Sequence, residues 1–289
     1  VVAHNNISSS GQNSDAEWER KVKITLVESQ TPALAPWLIG YIGAEIDVGT
    51  ENVRRVLPAR PNCFIQIILE GGHAMIDVLS GARIEVPVAS LFGPLTHYRF
   101  DMEISGALRT FSARMQPAAA VQLLGLKPSA LVDGFVPIDL APGMIEALRA
   151  ASSWHAMAAE MDGWLSQFAK GAKDDDRVAQ VARRMRESRG QVSISELAES
   201  AELSIHQFQR RFLGLTGLNP KHYARVCRVS HAVHLKEIKP ESSWTTVALD
   251  SGYTDQSHFI RDFKALTGVR PKDFLRDQAP ILRHPKWEG

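Results

Sequence analysis

Between residues 53 and 115 the apolar positions come in short runs separated by glycine-marked turns. The runs 53–59, 63–69, 74–79, 82–86 and 107–115 read as strands. Glu70-Gly71-Gly72-His73, Ser80-Gly81 and Ser105-Gly106 lie between them and read as hairpin connections. Ile65, Ile67 and Leu69 alternate with Phe64, Gln66 and Ile68, which predicts a strand covered on both faces. Short antiparallel strands at this spacing suggest a small barrel or sandwich. After it the period lengthens to that of helices, over 117–124, 142–150 and about 153–170. The last carries Trp154, Met157, Met161, Trp164, Leu165 and Phe168, a broad apolar stripe. That stripe is expected to pack on the barrel or on a second subunit.

The C-terminal part contains an internal repeat. Ala198 matches Ala248, Leu203-Ser204 matches Tyr253-Thr254, and Arg210-x-Phe212 matches Arg261-x-Phe263. Leu215-Thr216-Gly217 matches Leu266-Thr267-Gly268, Pro220 matches Pro271, and Arg225 matches Arg276. The offset grows by one residue at the turn. Two copies of one unit are hard to ascribe to chance. Each copy reads as helix, tight turn, helix. Ile194, Leu197, Ala198 and Ala201 recur at i, i+3, i+4, i+7, one helical face. Ser204 in the first copy, and Thr254 or Asp255 in the second, suit the start of the second helix as caps. Phe208, Phe212 and Leu215, and in copy two Phe259, Phe263 and Leu266, form the stripe expected to be buried. The opposite face carries His206, Gln209 and Arg210 in copy one and Gln256, Ser257 and Arg261 in copy two. Arg and Gln can each make two hydrogen bonds to one base edge in the major groove. Pro220 suits the first turn of a helix running to about Ile238, with Val226, Val229, Ala232, Val233 and Leu235 inward. At 1.5 Å per residue that helix is a rod of about 28 Å, against about 34 Å between successive major-groove segments. The fit is imperfect, so some bending of the DNA is expected.

Charge changes the picture only when the chain is divided. The 289 residues carry a net charge of +1. Residues 1–172 hold 13 Lys and Arg against 17 Asp and Glu (−4); residues 173–289 hold 20 against 15 (+5). A basic C-terminal part points to an anionic partner. The boundary falls at Gly171-Ala172-Lys173-Asp174-Asp175-Asp176, a polar linker whose acids suit a helix start. Residues 1–20 are expected to be a flexible tail, 21–172 a separate domain, for which the family resemblance given below implies a sensor or dimerisation role, and 173–289 a DNA-binding domain. Within the last, helix-turn-helix units are expected at 193–217 and 243–268, joined by a helix at 220–238. The fold class expected is α+β, a small antiparallel β-barrel or sandwich with helices, then an all-α domain.

Residues from about 177 to 277 resemble the DNA-binding domain of AraC/XylS-family transcriptional regulators, most specifically the run from Gly252 to Pro271. The resemblance implies sequence-specific promoter binding, usually with transcription activation through RNA polymerase. Its DNA-reading positions fall on His206, Gln209, Arg210, Gln256, Ser257 and Arg261. Glu202 departs from the family pattern, which usually has Gly in the first turn. The N-terminal part resembles the cupin-like sensors that precede such domains, through Arg114-Met-Gln-Pro117 and the small residues running to Gly125. Such sensors bind a small molecule, mediate dimerisation, or both.

Other functions find less support. DNA-alkylation repair needs a zinc-activated cysteine in a four-cysteine cluster, and Cys63 and Cys227 are the only cysteines. A catalytic cupin needs a cluster of metal ligands, whereas His73 and His97 stand alone. His222, His231 and His234 on the long helix read as packing or solvated residues rather than ligands, and no metal or cofactor is expected. A fused enzyme would show a nucleotide loop or a Ser-His-Asp motif, and neither is visible. The N-terminal stretch has no apolar core of a signal peptide, and no run approaches membrane-spanning length. The expectation is a cytoplasmic, non-enzymatic regulator, homodimeric and responsive to a small-molecule effector. The 153–170 helix is one candidate dimer surface.

Overall fold

The computed structural model describes residues 22–172, 174 and 176–274. The expected tail at 1–20, Lys173 and Asp175 of the linker, and Arg276 of the repeat lie outside the described residues. The chain is α+β. Among the described residues there are eight strands, seven before the first α-helix and the eighth after it: β1 Val22–Val27, β2 Leu38–Leu57, β3 Cys63–Glu70, β4 His73–Asp77, β5 Arg83–Glu85, β6 Ala89–Phe92, β7 Phe100–Met115 and β8 Phe135–Pro137. They form one antiparallel sheet in the order β1-β2-β7-β3-β6-β8, with β4 pairing β5 and β7.

The long strands β2 and β7 make the sheet two wings. They pair from Leu38↔Met115 to Leu57↔Phe100, with a register break where residues 48–51 face Gly106. One half of β7 then receives β3, the other β4. Two of the expected hairpins therefore differ. Ser105-Gly106 does not end a strand; Gly106, at φ +70°, bends β7 through the break. Glu70–His73 joins β3 to β4, and each of these strands pairs with β7. Ser80-Gly81 does close the paired strands β4 and β5, with Gly81 at φ +72°.

The two faces of the sheet carry separate cores. Ile65, Ile67 and Leu69 pack with Tyr41, Phe111 and Met115 in one cluster. Ile68, with Phe64 partly buried beside it, belongs to the other cluster, with Ile42, Met75 and Met102. The expected two-sided burial of this strand follows from its place between helices and the opposite wing. The outer face is covered by α1 Ala119–Leu124, α2 Met144–Ala150 and α3 Trp154–Ala169. Ser153 caps α3 by accepting from the Ala156 amide at 3.1 Å. Met157, Met161, Trp164 and Leu165 are buried in the outer core, so most of this stripe packs on the sheet, while Phe168 at its end is exposed. Buried Asp162 pins α3 to the sheet by accepting from the Tyr41 hydroxyl, the Ser29 hydroxyl and the Gln30 amide. Trp154 lies against Gly43, where a Cβ would stand 2.4 Å from the indole ring.

The remaining helices are α4 Arg177–Glu187, α5 Ile194–Ser200, α6 Ile205–Thr216, α7 Pro220–Ile238, α8 Trp244–Asp250, α9 Gln256–Thr267 and α10 Pro271–Phe274. Asp176 opens α4 by accepting from the Val178 and Ala179 amides, the use its carboxylate suggested. These helices share a third core around Phe208, Phe212, Tyr223, Phe259 and Phe263, which also receives Ala59 from the sheet. The Ala59 amide donates to the Leu266 carbonyl at 2.8 Å. His222 pairs with the Thr96 carbonyl at 2.9 Å, and Arg186 donates to Gln116 at 3.3 Å. The sheet and the helical part therefore dock through specific polar contacts as well as apolar ones.

Candidate nucleic-acid interface

The duplicated unit is duplicated down to its capping. Ser204 and Gln207 form a reciprocal capping box at the start of α6. Asp255 caps α9 by accepting from the Ser257 amide at 2.8 Å. Of the two caps considered for the second copy, Asp255 is used, so Thr254 is the extra residue of the turn. At the far end Thr216 donates to the Phe212 carbonyl at 2.9 Å, and Thr267 to the Phe263 carbonyl at 2.8 Å. Each helix then stops at a left-handed glycine, Gly217 at φ +78° and Gly268 at φ +80°.

The interhelical turns differ. Gly252 takes φ +78° at no steric cost, while Glu202 takes φ +54° in the same place. A Cβ in that region costs about 1–2 kcal/mol. The first turn is therefore strained where the second is not, and the Glu202 carboxylate is ion-paired with Arg177 at the start of α4.

Burial follows the amphipathic pattern. Phe208, Phe212, Phe259, Phe263 and Leu266 are buried, and Leu215 is half-buried. His206, Gln209, Arg210, Gln256, Ser257 and Arg261 are all exposed. Aligned on the caps, Arg210 is equivalent to Arg261 and His206 to Ser257. Gln209 is matched by Ile260, and Gln256 by Ile205, both exposed apolar side chains. Exposed isoleucines on such a face suit contact with a thymine methyl. Lys221 and Lys272, each directly after the repeated proline, are exposed as well. Both isoleucines and both lysines lie outside the set of contact residues expected from the sequence, although the repeat alignment marks their positions.

The two reading helices are held to α7 differently. In the second unit Asp262, almost fully buried, accepts from Arg225 of α7 at 2.7 and 3.1 Å and from the Tyr253 hydroxyl at 3.2 Å. The equivalent residue of the first unit is Arg211, exposed, which reaches the Asp176 cap of α4 at 3.4 Å. Helix α7 matches the expected rod in both bounds. Of its histidines, His231 pairs with Arg189 at 3.0 Å and His222 contacts the sheet.

A second feature lies between the wings of the sheet. A cavity of about 110 Å³ is walled by Ile42, Leu57, Met75 and Met102 and carries Arg55, Arg60, Arg114, Gln66 and His73. Ser230 of α7 closes one side. His73 is buried and donates through Nε2 to Gln66 Oε1 at 2.7 Å, and burial pushes its pKa down to about 4. Cys63 is buried core and its thiol is pushed up to about 12 by burial, as suits a packing residue. Arg114, singled out in the sequence as the start of the small-residue segment, is one of the cavity's cations.

A family model described as a helix-turn-helix domain matches residues 197–277. The C-terminal region is therefore a helix-turn-helix domain. Most of the chain shares its fold with ToxT from Vibrio cholerae: a 1.65 Å structure superposes over 89% of this chain and 98% of that chain, at 11% identity and a TM-score of 0.50. An apo ToxT variant does so over 87% and 100%, at 12% identity and a TM-score of 0.51. An uncharacterized HTH-type transcriptional regulator of Staphylococcus aureus is 28% identical over 93 residues. That alignment covers 32% of this chain and 12% of the length of that relative. A cupin protein from Desulfovibrio desulfuricans matches 40% of this chain at a TM-score of 0.23, too distant to support an argument.

Proposed function

We propose that this chain is a sequence-specific DNA-binding transcription regulator of the AraC type. The observation that carries the reading is the duplicated helix-turn-helix, with the polar face of both second helices exposed and their apolar faces buried in one core. Arg210 and Arg261 are the residues best suited to bidentate base contact, with His206, Gln209, Gln256 and Ser257 beside them. Lys221 and Lys272 lie at the starts of α7 and α10, where they suit phosphate contact. Residues 173–289 form the DNA-binding unit and 21–172 the regulatory unit, whose sheet holds the cavity that Ser230 of α7 helps to line. The cavity is the site of a small-molecule effector, since its arginines and apolar walls suit a ligand with both polar and apolar parts. Contact with RNA polymerase, activation and homodimer formation are the functional partners of this reading, and they rest on the family resemblance.

Genome-wide mapping of bound DNA, followed by anisotropy titration of the recovered site, tests the proposal. Arg261→Ala is expected to cost about 1–3 kcal/mol at that site and to relax preference at one base position. Unchanged affinity and preference would remove Arg261 from the interface. Affinity is expected to fall steeply with salt, and a flat titration would contradict phosphate contact.

A further inference from the structure

A buried ion pair connects the cavity to α7, the rod between the two helix-turn-helix units. Arg55 of β2 lines the cavity, and its Nη2 lies 3.2 Å from Glu237 Oε1 on α7. The side chains are 5% and 1% exposed. Glu237 and Ser230 are seven residues apart, two helical turns, so the same face of α7 that closes the cavity carries the carboxylate. A carboxylate in the last turn of a helix meets the negative end of the helix dipole. Burial adds a desolvation cost, and replacing such a pair by apolar residues is often neutral or stabilising. Packing alone does not call for Glu at this position.

Its neighbour shows where movement would go. Lys236 donates to the Pro240 and Ser242 carbonyls at 2.6 Å each and lies 5.1 Å over the Trp244 ring at the start of α8. The turn that holds Glu237 is thus wired to the second reading unit.

We propose that Glu237 is a tethered competitor for the acid group of the effector: an acidic small molecule entering the cavity takes Arg55, displaces Glu237, and frees the end of α7 that carries the second helix-turn-helix. The proposal rests on the cavity being the effector site. It adds the chemical class of the ligand, an acid with an apolar body, and the residue through which occupancy is transmitted. A carboxylate held on the chain lowers the apparent affinity of an external one by the fraction of time it occupies Arg55.

The test uses the full chain and two probes of one shape, sodium benzoate and neutral benzamide, by isothermal titration calorimetry. An engineered apolar cavity of about 150 Å³ holds benzene, so a single ring is the appropriate size. Glu237→Gln is expected to bind benzoate at least about tenfold more tightly than the parent, with benzamide binding unchanged. Arg55→Gln in the Glu237→Gln chain is expected to abolish the gain. Hydrogen exchange of residues 236–244 should rise in ligand-free Glu237→Gln and in benzoate-saturated parent chain alike. Equal benzoate affinity in parent and Glu237→Gln overturns the competition. Benzamide bound as tightly as benzoate by Glu237→Gln overturns the acid specificity while keeping the cavity as a site. Neither probe bound by any chain, with DNA binding intact, overturns both this proposal and the effector site but leaves the DNA-binding function standing. Should Glu237→Gln fail to fold, the paired Arg55→Met/Glu237→Met chain serves, and it is expected to show no preference for benzoate over benzamide. A retained preference there overturns the role of Arg55.

Discussion

Removing the Asp262 carboxylate should loosen the second reading helix from α7, and its surroundings set the size of the effect. Asp262 Oδ1 accepts two hydrogen bonds from the Arg225 guanidinium, at 2.7 and 3.1 Å, and Oδ2 accepts one from the Tyr253 hydroxyl at 3.2 Å. His258 Nε2 lies 3.3 Å from Oδ2. The Asp262 side chain is 3% exposed, whereas that of Arg225 is 30% exposed. Breaking a fully buried pair costs about 3–5 kcal/mol because the surviving charge is stranded. Arg225 keeps part of its hydration, so the lower range applies, about 2–3 kcal/mol for Asp262→Ala. Asp262→Asn retains an acceptor for Tyr253 and should lose about half as much. Urea unfolding followed by circular dichroism measures both, and a double-mutant cycle with Arg225→Ala isolates the pair. A loss under about 0.5 kcal/mol for Asp262→Ala, or additive losses in the cycle, would show that the pair does not hold α9 in place. No equivalent loss is expected for Arg211→Ala, the matching position of the first unit, whose side chain is half-exposed.

Two further perturbations probe buried groups of the sheet and of α7. Gly43→Ala forces Trp154 away from the sheet, and should cost about 1–3 kcal/mol, read as a lower urea midpoint at unchanged m-value; an unchanged midpoint would mean that the ring yields freely. Burial holds His73 and His231 down at about 4, with Arg189 assisting at His231. An unfolded histidine titrates near 6.5, so between pH 6.5 and 4 the unfolded chain binds more protons and stability falls as the pH drops. Urea midpoints at pH 7 and pH 5 should show that fall, and His73→Gln should make it shallower; an equal fall in the variant would assign the dependence elsewhere.

The repeat was legible because its information is local. Each cap, glycine stop and apolar stripe lies within a few turns of chain, so Ser204, Gly217, Phe208 and Phe212 announce their roles without reference to distant residues. The strands were legible only in part. β1, β6, β8 and the first halves of β2 and β7 went unread; in β2, glycines at 40, 43 and 49 and charges from Glu45 to Arg55 break the alternation. Those interruptions are where the sheet bends and where a helix tryptophan meets the backbone. Arg55, Thr110, Ser112 and Arg114 look like solvent-facing positions of strands, yet all are buried. Only the folding of one wing over the other turns them inward.

By itself, then, the sequence determined the helix-turn-helix pair, the rod between them, the α+β class and which side chains of the reading helices stay in water. These rest on short-range periodicity and on backbone preferences of single residues. The tertiary structure alone decided that the polar strand positions enclose a cavity, and that Glu237 meets Arg55 across 182 residues of chain. It also decided that Asp262 is locked to Arg225 while Arg211 is not. Pairings of buried charge depend on where distant segments dock, and a one-dimensional pattern holds no record of that.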